Sequence, residues 1–184
     1  MLSASSIAIG LTSPFLANMV SSSSFDNPPS SPDAEASDAD LSWDYLNPFV
    51  IQATVGPADI DSYQHANNSV YVRWFDECAR QHSLAVGIDT EEASELGYGM
   101  AVRESRITYH ASAYLNDTIL IANWIVKNDR KLRATRHFQI IRPSDGATLA
   151  RADINYICIN IASGKPSKMP PAFREKYGAS IDTD

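Results

Sequence analysis

One stretch of this chain repeats with a long helical period, and the residues beyond it read as strand after strand. From Ser69, the residues Tyr71, Trp74, Phe75, Cys78, His82 and Ala85 fall at spacings of three and four. Arg73, Asp76, Glu77, Arg80 and Gln81 fall mainly on the other side. That spacing predicts an amphipathic helix of about five turns with one buried stripe. Asn67 or Asn68 is placed to cap its start, because a short side-chain oxygen can accept an unpaired first-turn amide. Gly87 is placed to end it, since glycine takes positive φ without penalty.

Pro48–Gly56 alternates loosely and predicts a first strand before that helix. Residues 89–96 predict a short helical turn. Four strands come next, over Met100–His110, Asp117–Lys127, Leu132–Arg142 and Thr148–Asn160. In the last, Ala150, Ala152, Ile154, Tyr156 and Cys158 share one face. The turns at 128–131 and 143–146 are short, which makes their strands antiparallel neighbours. Met169–Tyr177 predicts a closing short helix. Five strands and one long helix make an α+β domain of two layers. Strands of ten or more residues leave a long edge, which predicts pairing with a second subunit.

The 184-residue chain suits one domain with a tail. Its −7 net charge is unevenly placed: residues 1–72 hold eight acids and no Lys or Arg, whereas the rest holds 15 basic and 14 acidic residues. A nearly neutral body with an acidic front excludes general nucleic-acid binding, which needs a basic face. Two cysteines, Cys78 and Cys158, make no disulfide framework and read as small buried hydrophobes. The four histidines are scattered, with no HExxH and no CxxC, so no metal is expected.

Residues 1–44 form an acidic N-terminal tail, and 1–40 are expected to be disordered, because Ser, Pro, Asp and Ala cannot offset the entropy of ordering. Leu2–Val20 is mildly apolar but interrupted, and too broken to span a bilayer. It lacks the basic residues of a secretory or transit signal. A cytoplasmic location is therefore expected, with a cleaved organelle-targeting segment as the alternative; a true start at Met19 would also account for this stretch. The folded domain is expected over 45–178, with a short tail, 179–184, after it.

The loop before the helix carries the chemistry. Residues 59–71 read DIDSYQHANNSVY, and WFDECAR begins at Trp74. This pattern resembles the hotdog-fold acyl-CoA thioesterases of the group that includes 4-hydroxybenzoyl-CoA thioesterase. Within that group it is most similar to the bacterial long-chain acyl-CoA thioesterase branch. Tyr109–Asp117 is similar to the family's Tyr-x-x-Pro-Ala-x-x-Gly-Asp turn, with Ser112 and Asn116 where the family often has Pro and Gly. Ser163-Gly-Lys-Pro166, with Pro170 after it, is similar to the family's closing segment. The likeness spans about residues 48–172.

The resemblance implies a hotdog fold, in which a five-stranded antiparallel sheet wraps one long central helix. It implies homodimers or homotetramers with active sites between subunits, and neither metal nor bound cofactor. It makes Asp61 the catalytic carboxylate, which attacks the thioester or deprotonates water. An ordinary aspartate is ionised at neutral pH. Opposite it, the helix start offers unpaired amides and about half a positive charge, so the oxyanion donor is placed at or near the Asn68 N–H.

Asp59 is expected to serve a structural turn, the alternative being a paired-carboxylate site with Asp61 two residues on. His65 either orients substrate or holds the loop. Asn67 contacts substrate or simply caps the helix, and Tyr71 either lines the acyl site or belongs to the core. Lys127, Arg130, Lys131, Arg133, Arg136 and Arg142 concentrate six basic residues around one hairpin. Arg130, Lys131 and Arg133 are the candidates for the phosphates of CoA. The expected activity is hydrolysis of fatty acyl-CoA of medium to long chain. The alternatives are acyl-carrier-protein thioesters as substrate, or a non-catalytic acyl-binding module.

Overall fold

The computed structural model describes residues 41–177; the tail expected to be disordered, residues 1–40, lies outside them, as do residues 178–184. The elements run β1 (Phe49–Thr54), α1 (Asn68–Ala85), α2 (Thr90–Glu95), β2 (Tyr98–Tyr109), β3 (Thr118–Asn128), β4 (Arg133–Arg142), β5 (Ala147–Asn160) and α3 (Pro171–Lys176). A 3-10 turn, Pro57–Asp59, comes after β1. The five strands form one sheet in the order β1-β3-β4-β5-β2, with every neighbour antiparallel. The hairpins β3–β4 and β4–β5 are those that the short turns predict, and β2 and β1 form the two edges.

The stripe on α1 does what its spacing requires. Tyr71, Trp74, Phe75 and Cys78 are buried against Ile121, Phe138, Ile140, Ala152 and Ile154 of the sheet. Phe75 and Phe138 meet at 5.1 Å between ring centroids, and the Cys78 thiol donates to the Ile121 carbonyl at 3.4 Å. Val70, Ala79 and Ser83 widen the buried face, whereas Ala85, placed in the stripe by spacing, is exposed. The helix has reached its last turn there and the sheet no longer covers it. Both cysteines are buried, as expected. Gly87 has φ 78°, the left-handed conformation expected just past the helix end.

The second face of the sheet is covered by part of the expected tail. Residues 41–46 lie across β3, β4 and β5 rather than outside the domain. Asp44 accepts two hydrogen bonds from Arg151, at 2.7 and 2.8 Å, and contacts His137 Nε2 at 2.9 Å. Its own amide donates to Gln139 Oε1 at 2.9 Å, and Gln139 donates to the Ser42 carbonyl at 3.0 Å. The Trp124 indole donates to the Leu46 carbonyl at 2.9 Å, with Trp43 and Tyr45 set edge-on to its ring. Residues 41–44, expected in the tail, therefore pack on the sheet. The acid that made this segment resemble a solvated tail is the one that pairs with a cationic sheet face.

Candidate active site

Between β1 and α1 the backbone is tied down at each step. Asp59 is buried in the 3-10 turn, where its carboxylate accepts the Gly56 N–H at 2.9 Å and pairs with Arg73 of α1. Its carbonyl accepts the Asn67 N–H at 2.8 Å. This is the structural role its position suggests, with both carboxylate oxygens occupied by partners within the fold. A bridge between Ile60 and Ala66 then closes the loop, inside which the Asp61 amide donates to the His65 carbonyl at 2.9 Å and the Gln64 amide to the Asp61 carbonyl at 3.0 Å. Gln64 takes φ 62° to complete the reversal. Asp61 Oδ1 accepts the Tyr63 amide at 2.8 Å, the turn bond typical of an Asx residue. The second carboxylate oxygen makes no hydrogen bond among the described residues.

Asn67 is the cap of α1. Its side-chain oxygen accepts the Ser69 amide at 2.9 Å and the Ser69 hydroxyl at 2.7 Å. That engages the carboxamide oxygen in capping, and Asn67 is not among the residues that line the cleft. Asn68 is the first helical residue. Its amide comes too early for an intrahelical acceptor and finds no partner among the described residues, while its carbonyl accepts the Tyr109 hydroxyl at 3.2 Å.

The facing wall is the turn after β2. Ala66 donates to the Ala113 carbonyl at 2.9 Å, and Ala113 donates to the Tyr71 hydroxyl at 3.2 Å. Arg142 holds this turn from β4 through the Ser112 carbonyl at 3.0 Å and Asp117 at 2.9 Å, and also pairs with Asp145. These two carboxylates, Asp145 first, raise its pKa further, so the clamp stays charged. Asn116 has φ 67°, which accounts for glycine being frequent there in the family.

Together these segments enclose an open cleft of about 460 Å³ lined by Asp61, Tyr63, His65, Asn68, Tyr71, Tyr109 and His110, with Ala66, Ala111 and Ser112 completing it. Four expected site residues are thus brought together: Asp61, His65, Asn68 and Tyr71. Tyr71 answers both readings at once, buried and yet forming the cleft floor, its hydroxyl held by Ala113 and its pKa raised by burial. His65 holds the loop through its carbonyl and sets its ring against Tyr114 at 5.2 Å.

Tyr109, His110 and Tyr63 were not legible as cleft residues. For the first two, a signal was present: adjacent hydrogen-bonding aromatic side chains at a strand end, just before a turn. His110 Nε2 lies 3.4 Å from Arg151, which links the cleft rim to Asp44.

The basic candidates do not join this site within one chain. Arg130, Lys131 and Arg133 lie at the β3–β4 turn, at the far end of β4 from Arg142, and ten strand residues span roughly 30 Å. The basic concentration also separates in space. Arg142 clamps the cleft turn, and Arg136 is buried on the helix face of the sheet.

A long helix packed on an antiparallel five-stranded sheet, with its first residue lining an open cleft, is the arrangement of the hotdog thioesterases. Residues 55–177 match the family model of the thioesterase-like superfamily, and the chain belongs to that family. It is 26% identical over 117 residues to the long-chain acyl-CoA thioesterase FadM of Escherichia coli, covering 64% of this chain and 87% of that one. Among solved structures it shares the fold of a 1,4-dihydroxy-2-naphthoyl-CoA thioesterase from Synechocystis, with TM-score 0.66, 17% identity, and 72% and 96% of the two chains covered. It also shares the fold of a Staphylococcus aureus protein solved in complex with CoA, with TM-score 0.67, 20% identity, and 75% and 88% covered.

Proposed function

We propose that this protein hydrolyses fatty acyl-CoA thioesters of medium to long chain, with Asp61 as the catalytic carboxylate and the Asn68 amide as the oxyanion donor. The observation that carries this reading is that Asp61 and Asn68 line one cleft, while among the described residues one Asp61 carboxylate oxygen and the helix-start N–H of Asn68 have no partner. The thioester carbonyl oxygen points to the Asn68 amide, and a preorganised donor of this kind is worth roughly 3–4 kcal/mol in acyl transfer. The free Asp61 oxygen then either attacks the carbonyl carbon or takes a proton from water that attacks it. In the first route the C–S bond breaks, CoA leaves as a thiolate that takes up a proton, and water cleaves the acyl–aspartyl anhydride. Both routes end in free acid, free CoA and a restored carboxylate. His65, through its carbonyl, is a positioning residue for Asp61.

The phosphates of CoA are assigned to Arg130, Lys131 and Arg133 of a second subunit. Two β2 edges paired antiparallel about a twofold axis bring the Tyr98 end of one beside the Tyr109 end of the other. The basic turn belongs to the Tyr98 end, because Cys158 pairs with Met100 on one side and its amide donates to the Leu132 carbonyl on the other. The partner's turn then stands near this chain's cleft.

The long-chain preference rests on the likeness to FadM. An aromatic acyl group is the second reading, favoured by a cleft walled with Tyr63, His65, Tyr71, Tyr109 and His110. A panel of aliphatic and aromatic acyl-CoA, read by thiol release, separates the two. In the same assay Asp61→Asn is expected to fold normally and lose on the order of 10²-fold or more in kcat; near-normal turnover would remove Asp61 from the mechanism. Comparing release of free CoA with release of free carrier protein from matched substrates tests the alternative carrier.

A further inference from the structure

A second cavity lies away from the Asp61 cleft. It has a volume of about 330 Å³ and sits between α1, α2, α3 and the start of β2. Ala79, Ala93, Met100, Ala134 and Phe173 supply much of an apolar lining, and at roughly 30 Å³ per water-sized unit it holds about ten heavy atoms. Among the described residues, two polar side chains in its wall have hydrogen-bonding capacity left over: Arg136 has no carboxylate partner and Tyr156 no hydrogen bond.

The first is Arg136, which is 4% exposed. Its guanidinium donates to Ser83 Oγ at 3.0 Å and lies 3.1 Å from His82 Nδ1, with the Tyr177 ring 5.1 Å from its carbon. All three neighbours are neutral. Ser83 donates its own proton to the Ala79 carbonyl, so it accepts from both Arg136 and the Tyr177 hydroxyl. Burial, and then the Arg136 charge, lower the His82 pKa to about 4, so the imidazole is uncharged and accepts at Nδ1. Among the described residues the guanidinium forms no ion pair with a carboxylate. A buried cation without an anion is costly, and two hydrogen bonds leave three of its five N–H donors for other use.

The second is Tyr156, 8% exposed, whose hydroxyl makes no hydrogen bond among the described residues. Arg136 faces Ile154 and Tyr156 faces Ala134 across β4 and β5, so the two are diagonal neighbours on one face of the sheet. At the rim stand exposed Asp76 and exposed Arg80, the latter paired with Glu77.

We propose that this cavity binds an apolar monocarboxylic acid, its carboxylate seated on Arg136 and Tyr156 and its chain along the apolar lining. The planar guanidinium fork matches a carboxylate, and the lining matches an alkyl tail. The free acid released by thioester hydrolysis is of this class, so the cavity is a place where product can act on its own enzyme. The assignment stands without Asp61: inert Asp61→Asn protein is expected to keep the site.

Calorimetric titration of the full chain with decanoate and with 1-decanol tests it, with amide chemical shifts locating the ligand. Decanoate is expected to bind at least tenfold more tightly than decanol and to perturb Ser83 and Ala134. Arg136→Met is expected to lose tenfold or more of decanoate affinity and to leave decanol binding unchanged. Ala93→Phe, which fills the cavity, is expected to abolish decanoate binding and leave turnover intact. Equal affinity for acid and alcohol, full decanoate affinity in Arg136→Met, or perturbations confined to Asn68 and Ala111 would each overturn the proposal. Should Arg136→Met fail to fold, the ratio of acid to alcohol affinity and the Ala93→Phe titration decide it.

Discussion

His82 shows how far a residue's role depends on what surrounds it. Helical spacing places it in the buried stripe, as though it were apolar. It is 7% exposed, its ring is stacked on Phe49 at 4.8 Å and nearly parallel, and Arg136 lies at Nδ1. Burial first, and the adjacent cation second, lower its pKa from 6.5 to about 4. The native imidazole is therefore neutral between those values, whereas the unfolded one takes up a proton as pH falls. The unfolded state then binds more protons, so His82 contributes stability that is fully present above pH 6.5 and is lost as pH falls toward about 4. The amount is on the order of 3 kcal/mol at about 1.4 kcal/mol per decade of proton affinity. Urea midpoints measured between pH 4 and 6.5 are expected to rise with pH in the wild type and to flatten in His82→Gln. An unchanged slope would show that other groups carry it.

At the scale of the element, α1 has two functions joined at one end. Its buried stripe fixes where the helix lies, and its first turn places Asn68, the proposed oxyanion donor, in the cleft lining. Asn67 couples the two by capping the turn, while its own amide is held by the Asp59 carbonyl. Asn67→Ala is expected to cost about 1 kcal/mol of stability. If the Asn68 amide is the oxyanion donor proposed above, the substitution is also expected to lower kcat more than it raises KM, because such a donor acts in the transition state. Unfolding curves and steady-state kinetics on the same variant check both. A change in stability alone would confine Asn67 to the fold. Neighbouring β2 is a long edge, mostly exposed beyond Met100, with a bulge between Val102 and Glu104. Such an edge calls for covering or pairing.

At the scale of the whole molecule, that edge argues for a second copy. Sedimentation is expected to find a species of at least twice the 20.2 kDa chain, with activity falling on dilution below its dissociation constant. A fully active monomer would leave the basic turn of Arg130, Lys131 and Arg133 too far from Asp61 to hold the phosphates. Among the described residues no helix is long and apolar enough to cross a membrane.

Periodicity and turn chemistry suffice for most of the elements, because the helix stripe and the alternation in β4 and β5 depend only on residues near in the chain. That Asp61, His65 and Asn68 share one cleft was legible too, since one short motif carries them and the helix start beside them. What lies across the sheet was not. Asp44 looks like one more tail acid until Arg151 and His137 are brought beneath it, and Tyr109 and His110 face Asp61 only because β2 ends where α1 begins. Arg136 and Arg142 read as hairpin charges, yet alternation along β4 buries one and its far end puts the other on the cleft turn. Local pattern determined the elements and the motif. Contacts between residues distant in the chain decided which charges are paired, which are buried alone, and which aromatic rings wall the cleft, because pairing and burial are set by packing rather than by spacing.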